Sequence, residues 1–457
     1  MNEMQLTAGQ VEKNPLAQQF YMGPLLRFAF PTIFMMIFMG LYTIVDTIFV
    51  ARFVSTNALS SINIVCPVIN IIVGLGTMLA TGGSALVAQK MGRKDEKGAC
   101  ESFTLIILAG LAVGLLISCI GLIFLEPIIR CLGASDLLFP YCRDYLIILL
   151  IFAPASIMQV LIQNFLVAAG KPGLGFWLVI AAGFTNALLD FIFIVPMKMG
   201  IAGAALATSM GYLIPAITGI VFFCLNKNGS LYFCKTNCHI RSLGEICFNG
   251  SSEMVGQLST AVTTFLFNAV MMKLLGEDGV AAITIIIYSQ FFLTTLYIGF
   301  TIGVAPIISY KYGSKDYSQL KSIFKICMAF ILATSLIVFL LAMAGGSFLV
   351  QIFSPKGTSV YEIARNGFLI FPISFLFCGF NIFTSGMFTA LSNGKISAIL
   401  SFLRTMGFIT MGLLILPVLY QVNGIWLAVP VAEILSLCVS IFFLFYYHRK
   451  YQYISKK

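Results

Sequence analysis

Charged residues are scarce in this sequence. They occupy 10% of 457 positions, against roughly 25% in a typical soluble domain. So little polar surface does not cover a body bathed in water, which excludes a soluble globular fold. Histidine is nearly absent: the two residues, His239 and His448, lie in a polar loop and near the chain end. No HExxH pair, GxSxG segment or GxxxxGK[ST] loop occurs, so the motifs of zinc hydrolysis, serine catalysis and ATP binding are missing. A membrane-embedded enzyme is therefore a weak alternative reading. No secretory signal is expected either. The first ~20 residues are polar, and the first apolar run is too long for a signal-peptide core.

What fills the chain is hydrophobic, at 59% of residues. Apolar stretches long enough to cross a bilayer, about 20 residues each, recur from about residue 24 to residue 447. Spans are expected near 24–52, 57–89, 100–125, 137–169, 173–195, 199–224, 246–275, 279–310, 320–350, 361–391, 395–419 and 423–446. The twelve cysteines mostly fall inside these runs, as Cys66, Cys119, Cys327, Cys378 and Cys438 do, where a thiol acts as a small hydrophobe. Cys234, Cys238 and His239 cluster in a polar loop, but a structural zinc site normally takes four ligands. No metal site is expected there.

The net charge of +10 forms no stripe or arm of the kind that binds nucleic acid. Eighteen of the twenty-seven Lys and Arg residues fall on one side of the expected spans. Seven fall on the other: Arg52, Arg130, Arg143, Lys198, Lys273, Lys356 and Arg365. Arg27 and Arg404 lie within spans. The positive-inside bias then places both termini in the cytoplasm of a multi-pass cell-membrane protein.

The chain also repeats itself. "VAQKMGRKD" at 87–95 returns as "ISYKYGSKD" at 308–316, and the same offset pairs "ALSSI" at 58–62 with "GVAAI" at 279–283. "GK" at 170–171 and "GI" at 200–201 keep the spacing of "GK" at 394–395 and "GI" at 424–425. Residues 1–224 and 246–457 thus read as two six-helix units in the same orientation, a parallel repeat known among secondary transporters, joined by a linker at 225–245. The fold class is an all-α membrane protein of about twelve helices in two pseudo-symmetric bundles. Pro31, Pro154, Pro215, Pro306, Pro372 and Pro430 fall within spans, where each removes a backbone hydrogen bond. Gly203, Ala207 and Gly211 have the four-residue spacing that lets two helices approach closely.

Four carboxylates lie well inside spans: Asp46, Asp190, Glu253 and Glu433. A charge at mid-membrane costs roughly 2.5–3.5 kcal/mol on insertion scales, so these are the most informative residues. Asp46 in span 1, Asp190 and Asn186 in span 5 and Thr208 in span 6 reach similar depth, and all belong to the first half. Together they are expected to converge on one polar cavity. Close carboxylates in a low-dielectric site do not both stay ionised, so the pair holds a proton, or its oxygens surround a sodium ion. The alternative is a polar packing network among spans 1, 5 and 6. At the matching positions the second half has Phe267, Thr410 and Leu414, so the acids are not part of the shared scaffold. The second half carries Glu253, Arg404, Glu433 and, at outer depth, Asn268. These form either a structural ion pair or a second cation or substrate site. Abundant Phe and Met would suit flat lipophilic cations.

These segments carry a family resemblance. "IVDTIFVARF" in span 1, "AQKMGRKD" after span 2, "LGASDLLFPYCRDYL" entering span 4, "NALLDFIFI" in span 5 and "GIAGAALATSM" in span 6 resemble the multidrug and toxic compound extrusion (MATE) antiporters. The resemblance covers nearly the whole chain. It implies two six-helix bundles forming a V around a central cleft, working by alternating access. It also implies that Asp46, Asn186, Asp190 and Thr208 form the coupling-cation site, and that helix 1 bends near Pro31. Some branches of the family carry a functional Glu deeper in span 7 than Glu253, so that role does not pass to Glu253. The expected function is secondary active efflux of cationic or amphipathic small molecules in exchange for H+ or Na+. It needs no cofactor, and the protein is expected to work as a monomer in the lipid bilayer. The alternative within transport is a lipid-linked precursor flippase of the wider superfamily, which calls for a basic cavity rather than an acidic one.

Overall fold

The computed structural model describes residues 14–236 and 240–454, and among them there is no strand. Apolar chain in lipid has no water to bond its backbone, so each crossing closes its own hydrogen bonds as a helix. Span 1 is Met22–Phe53, span 2 Thr56–Gly92, span 3 Glu96–Ile123, span 5 Pro172–Ile194 and span 6 Gly200–Leu225. Span 9 is Tyr317–Phe353 and span 12 is Val422–Tyr451.

Spans 7 and 8 run together as one helical ladder, Ile240–Gly313, of 74 residues. At 1.5 Å per residue that is about 110 Å, several times the ~30 Å hydrocarbon core. The break is at Gly276, whose φ of 65° and ψ of −150° are non-helical and open to glycine because it has no Cβ. Counting this ladder as two spans and the bent span 4 as one gives the expected twelve. Helix already begins at Ile240, inside the stretch expected to be linker. The preceding residues dock beneath the first half, where Leu231 is buried and the Cys234 amide donates to Thr104 Oγ1 at 3.2 Å.

Three other spans, expected as single helices, are interrupted. Span 4 divides into Phe139–Ile151 and Ala153–Ala168, bent by 53°. Pro154 has no N–H to give Leu150, and the Leu150 carbonyl accepts from the Ser118 hydroxyl of span 3 instead. Span 10 passes from Ser359–Ile370 through a tight 3-10 turn, Phe371–Ser374, into Phe375–Ala390. Pro372 supplies that interruption. Span 11 runs Gly394–Phe402, widens to a π turn at Leu403–Gly407, and resumes at Phe408–Tyr420.

The repeated "KD" motif has a physical basis. Lys94 and Lys315 take left-handed φ values of 63° and 59°, which ends one helix, and the next residue caps the following one. Asp95 accepts from the Gly98 amide at 2.9 Å and Asp316 from the Gln319 amide at 3.1 Å. Such caps are worth about 1 kcal/mol each.

An even number of spans puts both chain ends on one face, called here the terminal face. Near it the two halves meet backbone to backbone. A Cβ on Gly92 would lie 2.1 Å from the Tyr310 carbonyl, and one on Gly313 would lie 2.2 Å from the Gln89 carbonyl, a pair of contacts related by the repeat. Gly82 and Gly250 cross likewise, with added Cβ atoms 2.1 Å from the Ile246 carbonyl and 1.9 Å from the Met78 carbonyl. Side chains then tie the seam. Gln89 donates to Ser392 Oγ at 2.8 Å, Lys311 to the Ala17 carbonyl at 3.1 Å, and the Phe20 amide to Gln319 at 2.9 Å. One apolar core runs through the first half and across this seam, and a second lies wholly in the second half.

Gly250→Leu should therefore lower the melting temperature of the detergent-purified protein by about 5 °C or more. Gly345→Leu, where an added Cβ meets nothing within 4 Å, should leave it unchanged. Equal melting of the two variants would contradict the seam described here.

Candidate functional site

Two glycines draw spans 1, 5 and 6 together. A Cβ on Gly183 of span 5 would meet the Phe38 ring of span 1 at 2.6 Å and the Tyr42 ring at 3.4 Å. One on Gly211 of span 6 would lie 3.4 Å from both the Ala182 carbonyl and Asn186 Cβ of span 5. Asp46 follows Tyr42 by four residues and Asp190 follows Gly183 by seven, so each sits on the packed face of its helix.

The structure brings the four first-half residues to one place. Asn186 Nδ2 donates to Thr208 Oγ1 at 3.4 Å, and that hydroxyl donates to the Ala204 carbonyl at 3.0 Å. One turn on, Asp190 and Asp46 are electrostatic neighbours across the span 1–span 5 interface. Asp190 is 1% exposed. Neither of its side-chain oxygens, nor Asp46 Oδ1, meets a donor elsewhere in the protein. Ionised carboxylates only accept hydrogen bonds. Two in contact need a proton between them or a cation beside them, and this geometry can take up either.

Three phenols missing from the sequence reading belong to the surroundings of Asp46. Tyr42, Tyr145 and Tyr212, from spans 1, 4 and 6, all lie within electrostatic range of Asp46. Two carried a signal: Tyr42 precedes Asp46 by four residues and Tyr212 follows Thr208 by four, which puts each on the same helix face. Pro31 is not part of this cluster. It stands fifteen residues before Asp46, about 22 Å along span 1.

The second half is arranged differently. Arg404 Nε donates to both carboxylate oxygens of Glu433, at 2.9 and 3.1 Å. Asn381 Nδ2 donates to the same carboxylate at 2.7 Å and to the Glu433 carbonyl at 2.9 Å, and Ser440 donates to Asn381 Oδ1 at 2.9 Å. This carboxylate is satisfied by two residues, Arg404 and Asn381. Asn381 was the residue that sequence reasoning missed here, because a lone amide in an apolar span reads as packing. Among the described residues Glu253 forms no hydrogen bond or ion pair with Arg404 or Glu433, and Asn268 Oδ1 is buried without a partner. Phe267, which stands where the first half has Asp46, is buried in the second core. Leu414, which stands for Asp190, is 64% exposed.

No group of three metal-binding side chains occurs among the described residues. Cys238 and His239 of the polar-loop cluster lie outside them, and Cys234 is a free thiol.

Comparison with known proteins places the chain in a family and a fold. The MatE family profile matches two segments, residues 31–192 and 254–413, one in each half. The chain is 24% identical over 412 residues to the multidrug export protein MepA of Staphylococcus saprophyticus, covering 88% of this chain and 87% of that one. It is also 24% identical to MepA of Staphylococcus aureus strain MRSA252, covering 91% and 89%. The outward-facing structure of a multidrug resistance MATE family transporter superposes with a TM-score of 0.90 at 19% identity, covering 96% of this chain and 98% of that one. With both halves matched, and with the twelve-span fold shared, the chain belongs to the multidrug and toxic compound extrusion (MATE) family of membrane transporters.

Proposed function

We propose that this protein is a secondary active efflux antiporter that exports organic cations in exchange for H+ or Na+ by alternating access. The observation that carries the proposal is the Asp46–Asp190 pair between spans 1 and 5, where neither side-chain oxygen of the buried Asp190, nor Asp46 Oδ1, receives a hydrogen bond from the protein. The naming of the relatives as multidrug export proteins supports the substrate class. The excess of Lys and Arg on the terminal side supports cytoplasmic termini. Residues 1–224 then form the coupling lobe, 225–245 a cytoplasmic linker and 246–457 the second lobe.

The ion enters from the outer side and meets the pair. Proton or Na+ replaces the missing donor, and the repulsion between the two acids ends. Asn186 and Thr208 hold a neighbouring oxygen and hydroxyl at the same depth, the harder ligands a Na+ would use. Neutralisation removes the attraction for a bound cationic drug, which leaves outward. The seam of glycines at the terminal face then parts as the lobes rock, and the ion is released inward. Linkage makes the relation reciprocal: drug binding disfavours ion binding by the same factor. The flippase reading needs a basic cavity, whereas the intramembrane Arg404 is already neutralised by Glu433. We assign that pair to holding spans 11 and 12 together rather than to coupling.

In proteoliposomes loaded with a fluorescent organic cation, Asp46→Asn and Asp190→Asn should each reduce gradient-driven efflux to the level of empty vesicles while remaining inserted and monodisperse. Driving efflux separately with a pH gradient and a sodium gradient identifies the ion. Wild-type efflux from both variants would refute the proposal. Cation affinity of the purified protein should rise with pH if H+ is coupled, or fall with added Na+ if Na+ is, and either dependence should vanish in Asp190→Asn. In the second lobe, Glu433→Leu leaves the largely enclosed Arg404 without its partner and should cost about 3 kcal/mol of stability. The double change Arg404→Met, Glu433→Leu should recover most of that loss in thermal melting.

A further inference from the structure

Spans 1 and 5 converge at the acid pair but part toward the terminal face, leaving a crevice of about 620 Å³ between their starting turns. Its floor is glycine: an added Cβ on Gly23 or Gly173 would meet nothing within 4 Å. Its walls are aromatic, and Phe30, Phe34 and Trp177 are 43%, 54% and 65% exposed. Surfaces of that kind on a membrane protein face acyl chains. At its terminal-face end stands Arg27, exposed and without an ion pair or hydrogen bond among the described residues. It lies five residues into span 1, about 7.5 Å from the helix start, at the depth where a lipid phosphate begins.

The geometry points to a binding site for one anionic phospholipid of the terminal-face leaflet, its phosphate on Arg27 and an acyl chain lying along Phe30, Phe34 and Trp177. An unpaired guanidinium at the edge of hydrocarbon is costly unless it reaches water or an anion, and basic clefts between membrane helices select acidic headgroups. The cleft offers a single charge and a long apolar wall, which matches a lipid and not a free phosphate. The site also adjoins Pro31. Proline gives no N–H to the carbonyl four residues earlier, here that of Arg27, so the lipid would brace span 1 at the turn its backbone holds least firmly. This site is independent of the ion-coupling proposal.

The chain has two tryptophans, and the other, Trp426, is 1% exposed, so brominated acyl chains report on Trp177. Full-length protein would be reconstituted in phosphatidylcholine bilayers doped with dibrominated phosphatidylglycerol or dibrominated phosphatidylcholine, with Trp177→Phe as the baseline. Half-quenching by the phosphatidylglycerol should need about fivefold less lipid than by the phosphatidylcholine, the preference one basic residue gives. Arg27→Gln should abolish the preference while leaving quenching itself, and Gly173→Leu should weaken the phosphatidylglycerol effect by filling the floor. Glycerol phosphate in solution should not reverse quenching. Equal quenching of the wild type by both lipids, meaning annular lipid only, would overturn the site. So would a preference that survives Arg27→Gln, reversal by glycerol phosphate, or no quenching at all, which would mean that protein fills the crevice.

Discussion

Along the terminal-face seam, Gly82, Gly92, Gly250 and Gly313 let helix backbones touch where any side chain would collide with a carbonyl. Lipid supplies no hydrophobic drive between helices, so association in a bilayer rests on close packing of this kind and on hydrogen bonds between backbones and side chains. The seam closes one end of the molecule. It also sets the depth available for polar groups, because the acids of spans 1 and 5 lie toward the opposite ends of their helices, away from the glycine crossings. Close packing at one face and the carboxyl pair toward the other do not compete for the same turns.

The halves share a scaffold and divide the electrostatic work. In the first, both side-chain oxygens of Asp190 and Oδ1 of Asp46 are buried without a donor. In the second, Glu433 receives bonds from Arg404 and Asn381 and is complete without a ligand. A satisfied buried network rigidifies what it joins, and an unsatisfied one invites a visitor. The same residue class, a carboxylate in hydrocarbon, therefore serves opposite ends according to whether the protein brings its own counter-charge.

Much of this was legible in the residue string. Apolar run length marks a crossing, so all twelve spans could be counted, and a carboxylate inside such a run is expensive enough to announce Asp46, Asp190 and Glu433. Similar depth in spans that belong to one repeat brought Asn186 and Thr208 into the same group. The interruptions were harder to see. Hydropathy does not register that the Leu150 carbonyl turns to Ser118, or that Gly276 leaves the helical region, because neither changes the apolar content. The tyrosines escaped because phenols are ordinary in membrane helices, and only their four-residue spacing from known polar positions set them apart. The crevice at Arg27 had no signature at all, since Phe, Trp and Gly are common lipid-facing material until two helices are seen to diverge.

The π turn at Leu403–Gly407 bears on the evolutionary reach of the second half. A widened turn carries the residues beyond it around the axis by about one position, or roughly 100°. Leu414, the counterpart of Asp190, lies beyond that turn and is 64% exposed. An aspartate introduced there would stand largely outside the packed interior, whereas Asp190 is 1% exposed. A single codon change at position 414 would thus not reproduce in the second bundle the burial that Asp190 has in the first.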